Sequence, residues 1–191
     1  MQSYNIISRS DTEYIKPIVA APKGEGISLC LDGRFINQKL KVDREVPQGI
    51  EEIFKRCTAK KYISQLDLRS SFHQIKLAEE SRKYTGFQIN GRVYHYNVVC
   101  FGLACATSAL LRALEKILKD VLEFTLNFVD DLSVLSHTFI DHIYHLEKIF
   151  KILIENNITI NFDKCNFCKK EIRFLGFILT KDGLKQDPEK I

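Results

Sequence analysis

The stretch from Leu126 to Leu135 constrains the fold more than any other part of the chain. Apolar residues lead up to two adjacent carboxylates, Asp130 and Asp131, and resume directly after them. Each apolar run is too short for a helix and is typical of a strand, so the Asp-Asp pair predicts a tight hairpin turn. A second carboxylate beside the first costs repulsion unless a cation lies there. The stretch therefore indicates either an ordinary solvated turn or a metal site at a hairpin tip. The metal site would need a third carboxylate from elsewhere in the chain.

Strands and helices follow one another around this hairpin in a regular order. Hydrophobic spacing predicts a strand at 62–68, a helix at 107–121, strands at 124–129 and 132–136, a helix at 140–156 and a strand at 158–162. This order is the split βαβ arrangement, an α+β, ferredoxin-like antiparallel sheet with helices on one face. Because the crossover makes the first strand and the strand before Asp130 parallel, Asp67 is expected at the same sheet edge as Asp130 and Asp131.

Three carboxylates at one sheet edge suit a particular chemistry. Hard oxygen ligands in that number favour magnesium. Two such ions about 3.5–4 Å apart clamp the attacking and leaving oxygens in phosphoryl transfer. The long second helix is expected to turn Ile143, Leu146, Phe150 and Leu153 inward, which leaves its histidines outside the apolar face.

The amino-terminal part carries shorter signals. Residues 14–21 and 27–31 indicate a small hairpin whose Pro17 keeps it near a sheet edge. An amphipathic helix is predicted from Ile50 to Cys57. Asn90-Gly91 predicts a two-residue turn between strands at 84–89 and 92–98. A last hairpin is expected from residue 172 past residue 183.

Composition narrows the class of protein. A chain of 191 residues with 45% hydrophobic content can bury one good core or two small lobes. The 28 basic and 24 acidic residues leave a net charge of +4, which permits nucleic-acid binding without requiring it. No apolar run is long enough for a bilayer, and no signal-peptide core is present. Six irregularly spaced cysteines indicate reduced thiols, so we expect an intracellular protein that is neither secreted nor membrane-bound.

A zinc site is the weaker alternative for the second half. Its candidate ligands are His137, His142, His145, Cys165 and Cys168. Cys-x-x-Cys with paired histidines has the ligand types that zinc prefers. The helical positions of the histidines argue against it, because other residues already fill the apolar face.

Several motifs, taken in order, resemble those of reverse transcriptases, most closely those of gypsy-type long-terminal-repeat retrotransposons. They are Leu31–Asn37, Leu66–Ile75, Arg82–Phe87, Phe101–Leu103, Phe128–Asp131, Lys164-Cys165, Phe174–Gly176 and Asp187–Ile191. The resemblance implies the fingers and palm of a right-hand polymerase, cut from a Pol polyprotein. It implies partial fingers at 1–61, palm at 62–71 and 106–191, and an insertion with a hairpin at 72–105. Thumb, connection and RNase H would be absent.

The resemblance also implies roles for individual residues. Asp67, Asp130 and Asp131 would hold two Mg²⁺ ions, with Mn²⁺ as an alternative metal, and Lys164 would act as a general acid. The nucleotide would be bound by Lys23, Arg69, Ser70, Ser71, Phe72, Phe101, Gly102 and Val129. Template and primer would meet Arg34, Asn37, Phe174, Leu175 and Gly176.

The implied partners follow from that chemistry. They are an RNA or DNA template with its primer, deoxynucleoside triphosphates, and the remaining thumb and RNase H parts of a polyprotein, with no membrane. The expected location is the cytoplasm, within a retroelement particle.

Some positions depart from the family pattern. Gly24 stands where a second lysine is usual, Ser28 where an arginine is usual, and Cys100 where a proline is usual. Two hypotheses therefore remain open. The chain is an RNA-directed DNA polymerase core, or it is a degenerate or domesticated retroelement fragment that keeps the fold, lacks catalysis and binds nucleic acid at most. Under the second hypothesis Phe72 and Phe101 are plain core aromatics, and Lys164 is a solvated charge.

Overall fold

The structure is a computed structural model that describes residues 1, 4–23, 26–41, 55–58, 60–128, 131–174, 177–180 and 183–186. The chain forms two compact units. The first unit comprises Met1–Glu45 and Ser70–Leu110, and the second unit comprises Val46–Arg69 and Leu111–Ile191. Each unit is therefore built from two separate stretches of the chain.

Among the described residues are thirteen strands, β1–β13, and four α-helices, α1–α4. The strands are β1 Ile7–Arg9, β2 Ile15–Lys16, β3 Ile18–Lys23, β4 Gly26–Leu31, β5 Tyr62–Asp67, β6 Gly86–Ile89, β7 Arg92–Tyr96, β8 Thr125–Phe128, β9 Asp131–Ser136, β10 Asn166–Lys169, β11 Glu171–Phe174, β12 Phe177–Thr180 and β13 Gly183–Gln186. The helices are α1 Arg34–Asn37, α2 Glu79–Arg82, α3 Ala106–Leu118 and α4 Phe139–Glu155, with 3₁₀ turns at Ser71–Gln74, Lys83–Thr85, Lys119–Val121 and Phe162–Lys164. None of the described helices is long and apolar enough to cross a membrane.

The first unit contains a four-stranded sheet in the order β1-β7-β6-β2. The predicted hairpin between β6 and β7 is confirmed, because Asn90 and Gly91 both have positive φ (50° and 73°) and close a two-residue turn. The predicted strand at 14–21 is instead two strands in two sheets. Pro17 separates them: β2 forms a parallel edge beside β6, while β3 pairs with β4. Proline has no N–H for a ladder, which explains the break.

One core cluster of the first unit consists of the buried residues Leu31, Phe87, Tyr96, Val98 and Cys100. Phe87 and Tyr96 contact each other with ring centroids 5.1 Å apart. Burial raises the pKa of the Cys100 thiol to about 12, so this side chain stays neutral. Cys100, one of the departures from the family pattern, is therefore a core residue in this chain.

The second unit contains a four-stranded sheet in the order β10-β5-β9-β8. Strand β9 is antiparallel to both β5 and β8, so β5 and β8 run in the same direction. This topology confirms the predicted ferredoxin-like sheet and the common direction of the two strands that lead to the carboxylates. Helix α4 lies on the face that carries Ser64 and Ser136.

Two predicted details of the second unit are wrong. The fourth strand is β10, whereas residues 158–162 make only an isolated bridge from Ile160 to Leu68. In α4, the buried residues are His142, Leu146, Ile149 and Leu153, while Ile143 is 48% exposed. The apolar stripe is rotated because two serine hydroxyls satisfy the buried histidine.

Two further predictions concern the chain ends of the second unit. Strands β11, β12 and β13 form an antiparallel sheet, which extends the predicted last hairpin by one strand. Of the helix predicted from Ile50 to Cys57, only residues 55–57 are described, and they are helical. Cys57 is buried as the amphipathic pattern requires. The rest of that helix lies outside the described residues.

Candidate functional site

Two of the three predicted carboxylates face each other on neighbouring strands. Asp67 ends β5, Asp131 begins β9, and the two residues are directly opposite in the antiparallel ladder. Opposite residues point to the same face of a sheet with Cβ atoms about 4.5–5.5 Å apart. Both aspartates are half-buried. The predicted convergence is confirmed for this pair, while Val129 and Asp130 lie outside the described residues.

The end of β5 is held by a second segment of the chain. The Asn161 N–H donates to the Asp67 carbonyl oxygen at 2.8 Å, and the Arg69 N–H donates to the Thr159 carbonyl oxygen at 3.0 Å. The 3₁₀ turn Phe162–Lys164 follows directly, and the Lys164 N–H donates to the Asn161 carbonyl oxygen at 3.0 Å. The structure thus brings the exposed Lys164 onto a turn bonded to the strand end that carries Asp67.

Cys165 follows this turn and lies beside Asp67. Its thiol donates to the Asn161 carbonyl oxygen at 3.3 Å. Burial raises the pKa of the Cys165 thiol, and the negative charge of Asp67 adds to the rise, while a backbone hydrogen bond from Asp67 opposes it. Asp67 is itself half-buried, and partial burial strengthens the interaction of a carboxylate with a bound cation.

Asp67 and Asp131 supply carboxylate oxygens, the ligand type that hard divalent cations prefer. Like charges directly opposite each other destabilise a sheet, and a cation bound between carboxylate oxygens offsets that cost. Within the described part of the chain, no group of three His, Cys, Asp or Glu side chains could hold a metal ion. A third carboxylate would have to come from Asp130.

The zinc alternative finds no support in these contacts. His142 Nε2 lies 2.7 Å from Ser64 Oγ and its Nδ1 lies 2.8 Å from Ser136 Oγ, so both ring nitrogens are already engaged. All six cysteines are free thiols.

The residues after Asp67 have an unusual backbone. Ser70 adopts a left-handed conformation (φ 47°, ψ 51°), and the 3₁₀ turn Ser71–Gln74 follows it. A non-glycine residue in this region costs about 1–3 kcal/mol, and such strain is concentrated at functional sites. Ser71 and Phe72 are buried, and Arg69 is exposed. The segment from Arg69 to Phe72, which is predicted to bind the nucleotide, thus forms a tight, strained turn.

Two predicted pocket aromatics are in contact within the first unit. The rings of Phe72 and Phe101 pack edge to face, with centroids 5.0 Å apart and an interplanar angle of 80°. Phe72 is only 8% exposed. The pair therefore contributes to the packing of this unit whether or not it also contacts a nucleotide.

Asn37 and Gly102 are also brought together. Asn37 Nδ2 donates to the Gly102 carbonyl oxygen at 2.9 Å, and Asn37 Oδ1 accepts from the Ala104 N–H at 2.9 Å. Gly102 has φ 101°, and a Cβ on it would lie 1.8 Å from the Leu31 carbonyl oxygen. Asn37 thus holds the turn that carries Phe101 and Gly102.

Arg34 lies at the start of α1, next to a cavity of the first unit. Its guanidinium forms a two-pronged ion pair with Asp32, with Nη2 2.6 Å from Oδ2 and Nε 2.9 Å from Oδ1. The Arg34 side chain holds the pKa of Asp32 below its ordinary value. The cavity measures about 380 Å³, and Tyr14, Lys16 and Phe35 are among its lining residues.

The remaining predicted residues lie at hairpin ends. Lys23 ends β3 and pairs with Gly26, and Phe174 ends β11 and pairs with Phe177. Leu175 and Gly176 lie outside the described residues.

Sequence reasoning missed the Thr159–Asn161 segment and Asp32 as site neighbours. No motif marks the first, whereas Asp32-Gly-Arg34 is a local signal for an ion pair.

Comparison with known families shows to which protein family the chain belongs. The family described as "Reverse transcriptase (RNA-dependent DNA polymerase)" matches residues 22–179. The chain belongs to the reverse transcriptase family. Among its relatives is the retrovirus-related Pol polyprotein from transposon gypsy of Drosophila melanogaster, which is 37% identical over 164 residues. That match covers 85% of this chain and 16% of the polyprotein, so the chain spans less than a fifth of that relative.

Solved reverse transcriptases share the fold. The foamy viral protease-reverse transcriptase dRH in complex with double-stranded DNA gives a TM-score of 0.89 at 24% identity, covering 98% of this chain and 33% of that one. The foamy viral protease-reverse transcriptase in complex with an RNA/DNA hybrid gives 0.85 at 24% identity, covering 96% and 25%. The predicted right-hand polymerase fold is confirmed.

Proposed function

We propose that this chain adds deoxynucleotides to a primer on an RNA or DNA template by two-metal phosphoryl transfer. The observation that carries the proposal is the opposed pair Asp67 and Asp131 at the ends of β5 and β9 in a reverse transcriptase fold. The family performs RNA-dependent DNA polymerisation. Foamy viral enzymes of the same fold bind double-stranded DNA and an RNA/DNA hybrid, which supports a template–primer duplex as the partner.

Asp67, Asp130 and Asp131 would hold two Mg²⁺ ions, or Mn²⁺ in their place. Bound there, the ions would lower the pKa of the primer 3′-hydroxyl and offset charge on the leaving pyrophosphate. The carboxylates would set the position of the metal ions, because the β5–β9 ladder and the Thr159–Asn161 segment fix the backbone of Asp67. The half-buried setting of Asp67 and Asp131 limits competition from water.

Other residues would bind and orient the substrates. Backbone N–H groups at Ser70 to Phe72, with Arg69 and Lys23, would donate to the triphosphate. Phe72 would exclude a ribose 2′-hydroxyl, while Phe101, Gly102 and Val129 would line the nucleotide pocket. Lys164 would give a proton to the departing pyrophosphate.

The first unit would act as fingers and the second as palm, with the template beside Arg34 and Asn37 and the primer terminus beside Phe174, Leu175 and Gly176. The cavity at Arg34 supports a template role, because aromatic rings interleaved with cations bind unpaired bases and phosphates. We place the protein in the cytoplasm, in a retroelement particle with the thumb and RNase H parts of a polyprotein. The gypsy relative is a Pol polyprotein, which supports the placement of this chain within a longer polyprotein.

One observation favours a second candidate, a non-catalytic fragment that keeps the fold. Ser28, where an arginine is usual, lies in β4 opposite Ala21, and its short stem cannot reach a triphosphate as an arginine would. Gly24 removes a second cation from the same hairpin. Cys100 does not add to this case, since it is a buried core residue.

Primer extension with Mg²⁺ on RNA and DNA templates separates the two candidates. The comparison uses the parent chain, Asp67→Asn, and the control Asp120→Asn at an exposed aspartate of the second unit. Loss of several kcal/mol of transition-state stabilisation predicts that Asp67→Asn slows extension at least about a hundredfold. Asp120→Asn should match the parent. A parent that is folded by circular dichroism but extends no primer would favour the non-catalytic fragment.

A further inference from the structure

Four polar side chains form a continuous hydrogen-bonded chain inside the second unit. Ser64 on β5 lies 2.7 Å from His142 Nε2, and His142 Nδ1 lies 2.8 Å from Ser136 Oγ on β9. Ser136 Oγ also lies 2.8 Å from His145 Nδ1. The Cys168 N–H on β10 donates to Ser64 Oγ at 3.0 Å. We call this the imidazole–hydroxyl chain; it links β10, β5, β9 and α4.

Counting protons shows the direction in which hydrogen bonds are donated along the imidazole–hydroxyl chain. Ser64 Oγ already accepts from Cys168, so its own proton is used fully only if it donates to His142 Nε2. His142 then donates from Nδ1 to Ser136, and Ser136 donates to His145 Nδ1. With both imidazoles neutral, each of the three contacts has one proton.

An added proton breaks this order. A proton on His142 Nε2 would meet the Ser64 hydroxyl proton, and a proton on His145 Nδ1 would meet that of Ser136. Reversing every bond would restore His145 as a donor, but it would leave the Ser64 proton without its imidazole acceptor. An unsatisfied buried polar group is costly, so protonation works against the closed chain.

The surroundings do little to stabilise a cation on His142. This side chain is fully buried, and its ring faces His145 and the Tyr62 ring, whose centroid is 6.2 Å away. Burial lowers the pKa of His142, and the neighbouring His145 lowers it further.

His145 is half-buried and stacks on Phe124 with ring centroids 3.7 Å apart. Burial lowers the pKa of His145 most, and the charge of Lys60 lowers it too, while Asp141, Glu123 and the Leu135 backbone oppose the shift. Lys148 Nζ lies 5.9 Å from the Phe124 ring on which His145 stacks.

The linked strands are those that carry the carboxylates. Ser64 precedes Asp67 by three positions on β5, and Ser136 follows Asp131 by five on β9. The same ladder pairs Tyr62 with Ser136 at one end and Asp67 with Asp131 at the other. We propose that the imidazole–hydroxyl chain is an acid-sensitive clamp on the β5–β9 pair, closed when both histidines are neutral and opened when either gains a proton.

The sign of the pH dependence follows from linkage. Both folded-state pKa values lie below the ordinary 6.5, so the unfolded chain takes up protons first as the pH falls. The stability due to the clamp is fully present above about pH 6.5 and is lost as the pH falls through the folded pKa values. Within that window, each unit by which the pH falls raises the unfolding constant by up to about tenfold for each histidine.

Two measurements test the clamp, and neither requires polymerase activity. The first is ¹⁵N NMR of the imidazoles in the unmodified chain. We expect an Nδ1–H tautomer for His142, an Nε2–H tautomer for His145, and titration of both below pH 6.5. Either histidine titrating at or above pH 6.5, or the opposite tautomers, would overturn the proposal.

The second measurement is urea unfolding between pH 7.5 and 5. His145→Phe keeps a ring on Phe124 and removes one titrating group. As the pH falls, its unfolding constant should therefore rise less steeply than that of the parent, with a difference of up to about tenfold per pH unit. His137→Gln, at an exposed histidine that directly follows β9, should keep the parent's slope. Equal slopes for His145→Phe and the parent would contradict the clamp.

Discussion

Replacing Gly102 by alanine tests the turn that carries two predicted pocket residues. Gly102 has φ 101°, and an added Cβ would lie 1.8 Å from the Leu31 carbonyl oxygen and 2.9 Å from its carbon. Both neighbours are backbone atoms, so the turn or β4 must shift. The left-handed conformation costs about 1–3 kcal/mol, and forcing a methyl group into packed atoms costs about as much again. We therefore expect Gly102→Ala to lower the free energy of unfolding by about 2–6 kcal/mol.

Gly91→Ala is the matched control. Gly91 also has positive φ (73°), but nothing lies within 4 Å of its would-be Cβ, so only the conformational cost applies. The assay is urea unfolding followed by far-ultraviolet circular dichroism. With a slope of about 1–3 kcal/mol per molar urea, Gly102→Ala should move the midpoint by about 0.7 M or more. Equal midpoint shifts for the two variants would refute the steric part of the reasoning.

Three further predictions follow from the site and the core. Phe72→Ala should cost about 3–5 kcal/mol of unfolding free energy because the ring is 8% exposed, whereas Phe35→Ala, at a ring 72% exposed, should cost little. In an active enzyme, Phe72→Ala should also raise ribonucleotide incorporation, and unchanged sugar selectivity would leave Phe72 a core residue only. Ser28→Arg should lower the apparent KM for nucleotide about tenfold in steady-state extension, since it restores a charged contact worth about 1.5–3 kcal/mol. No gain in a protein that does extend primers would mean that the triphosphate is bound by another route. Burial raises the pKa of the Cys57 and Cys100 thiols to about 12, so a maleimide at pH 8 should modify them only in urea. Labelling of either thiol in the folded chain, read by mass spectrometry, would contradict this burial.

The palm-type sheet could be predicted because its signals are local. Alternating apolar residues mark β5, β8 and β9, and the order of strands and helices then requires Asp67 and Asp131 to meet. Strand β10 could not be predicted in this way. The run Ile158–Phe162 looks more like a strand than Asn166–Lys169 does, yet only the latter pairs with β5 over several residues.

The buried histidine shows a second limit of structure prediction from the sequence. The helical pattern predicts His142 outside the apolar face, because other residues already fill that face. Its burial depends on Ser64, which lies 78 positions away, and on Ser136. Such long-range satisfaction of a polar group has no local signature. Asn37 is similar: its motif position indicates a template contact, while the structure shows its amide bonded to the turn at Gly102 and Ala104.

Binding of Mn²⁺ to ¹⁵N-labelled protein tests the central claim most directly, because the paramagnetic ion broadens amide signals close to it. The account predicts that substoichiometric Mn²⁺ broadens the amides around Asp67 and Asp131 together. Asp67→Asn should then weaken broadening at Asp131 as well, since the two carboxylates lie opposite each other in one ladder. Asp120→Asn should leave the pattern unchanged. Broadening at only one of the two strand ends, or unchanged broadening at Asp131 in Asp67→Asn, would contradict a shared metal site.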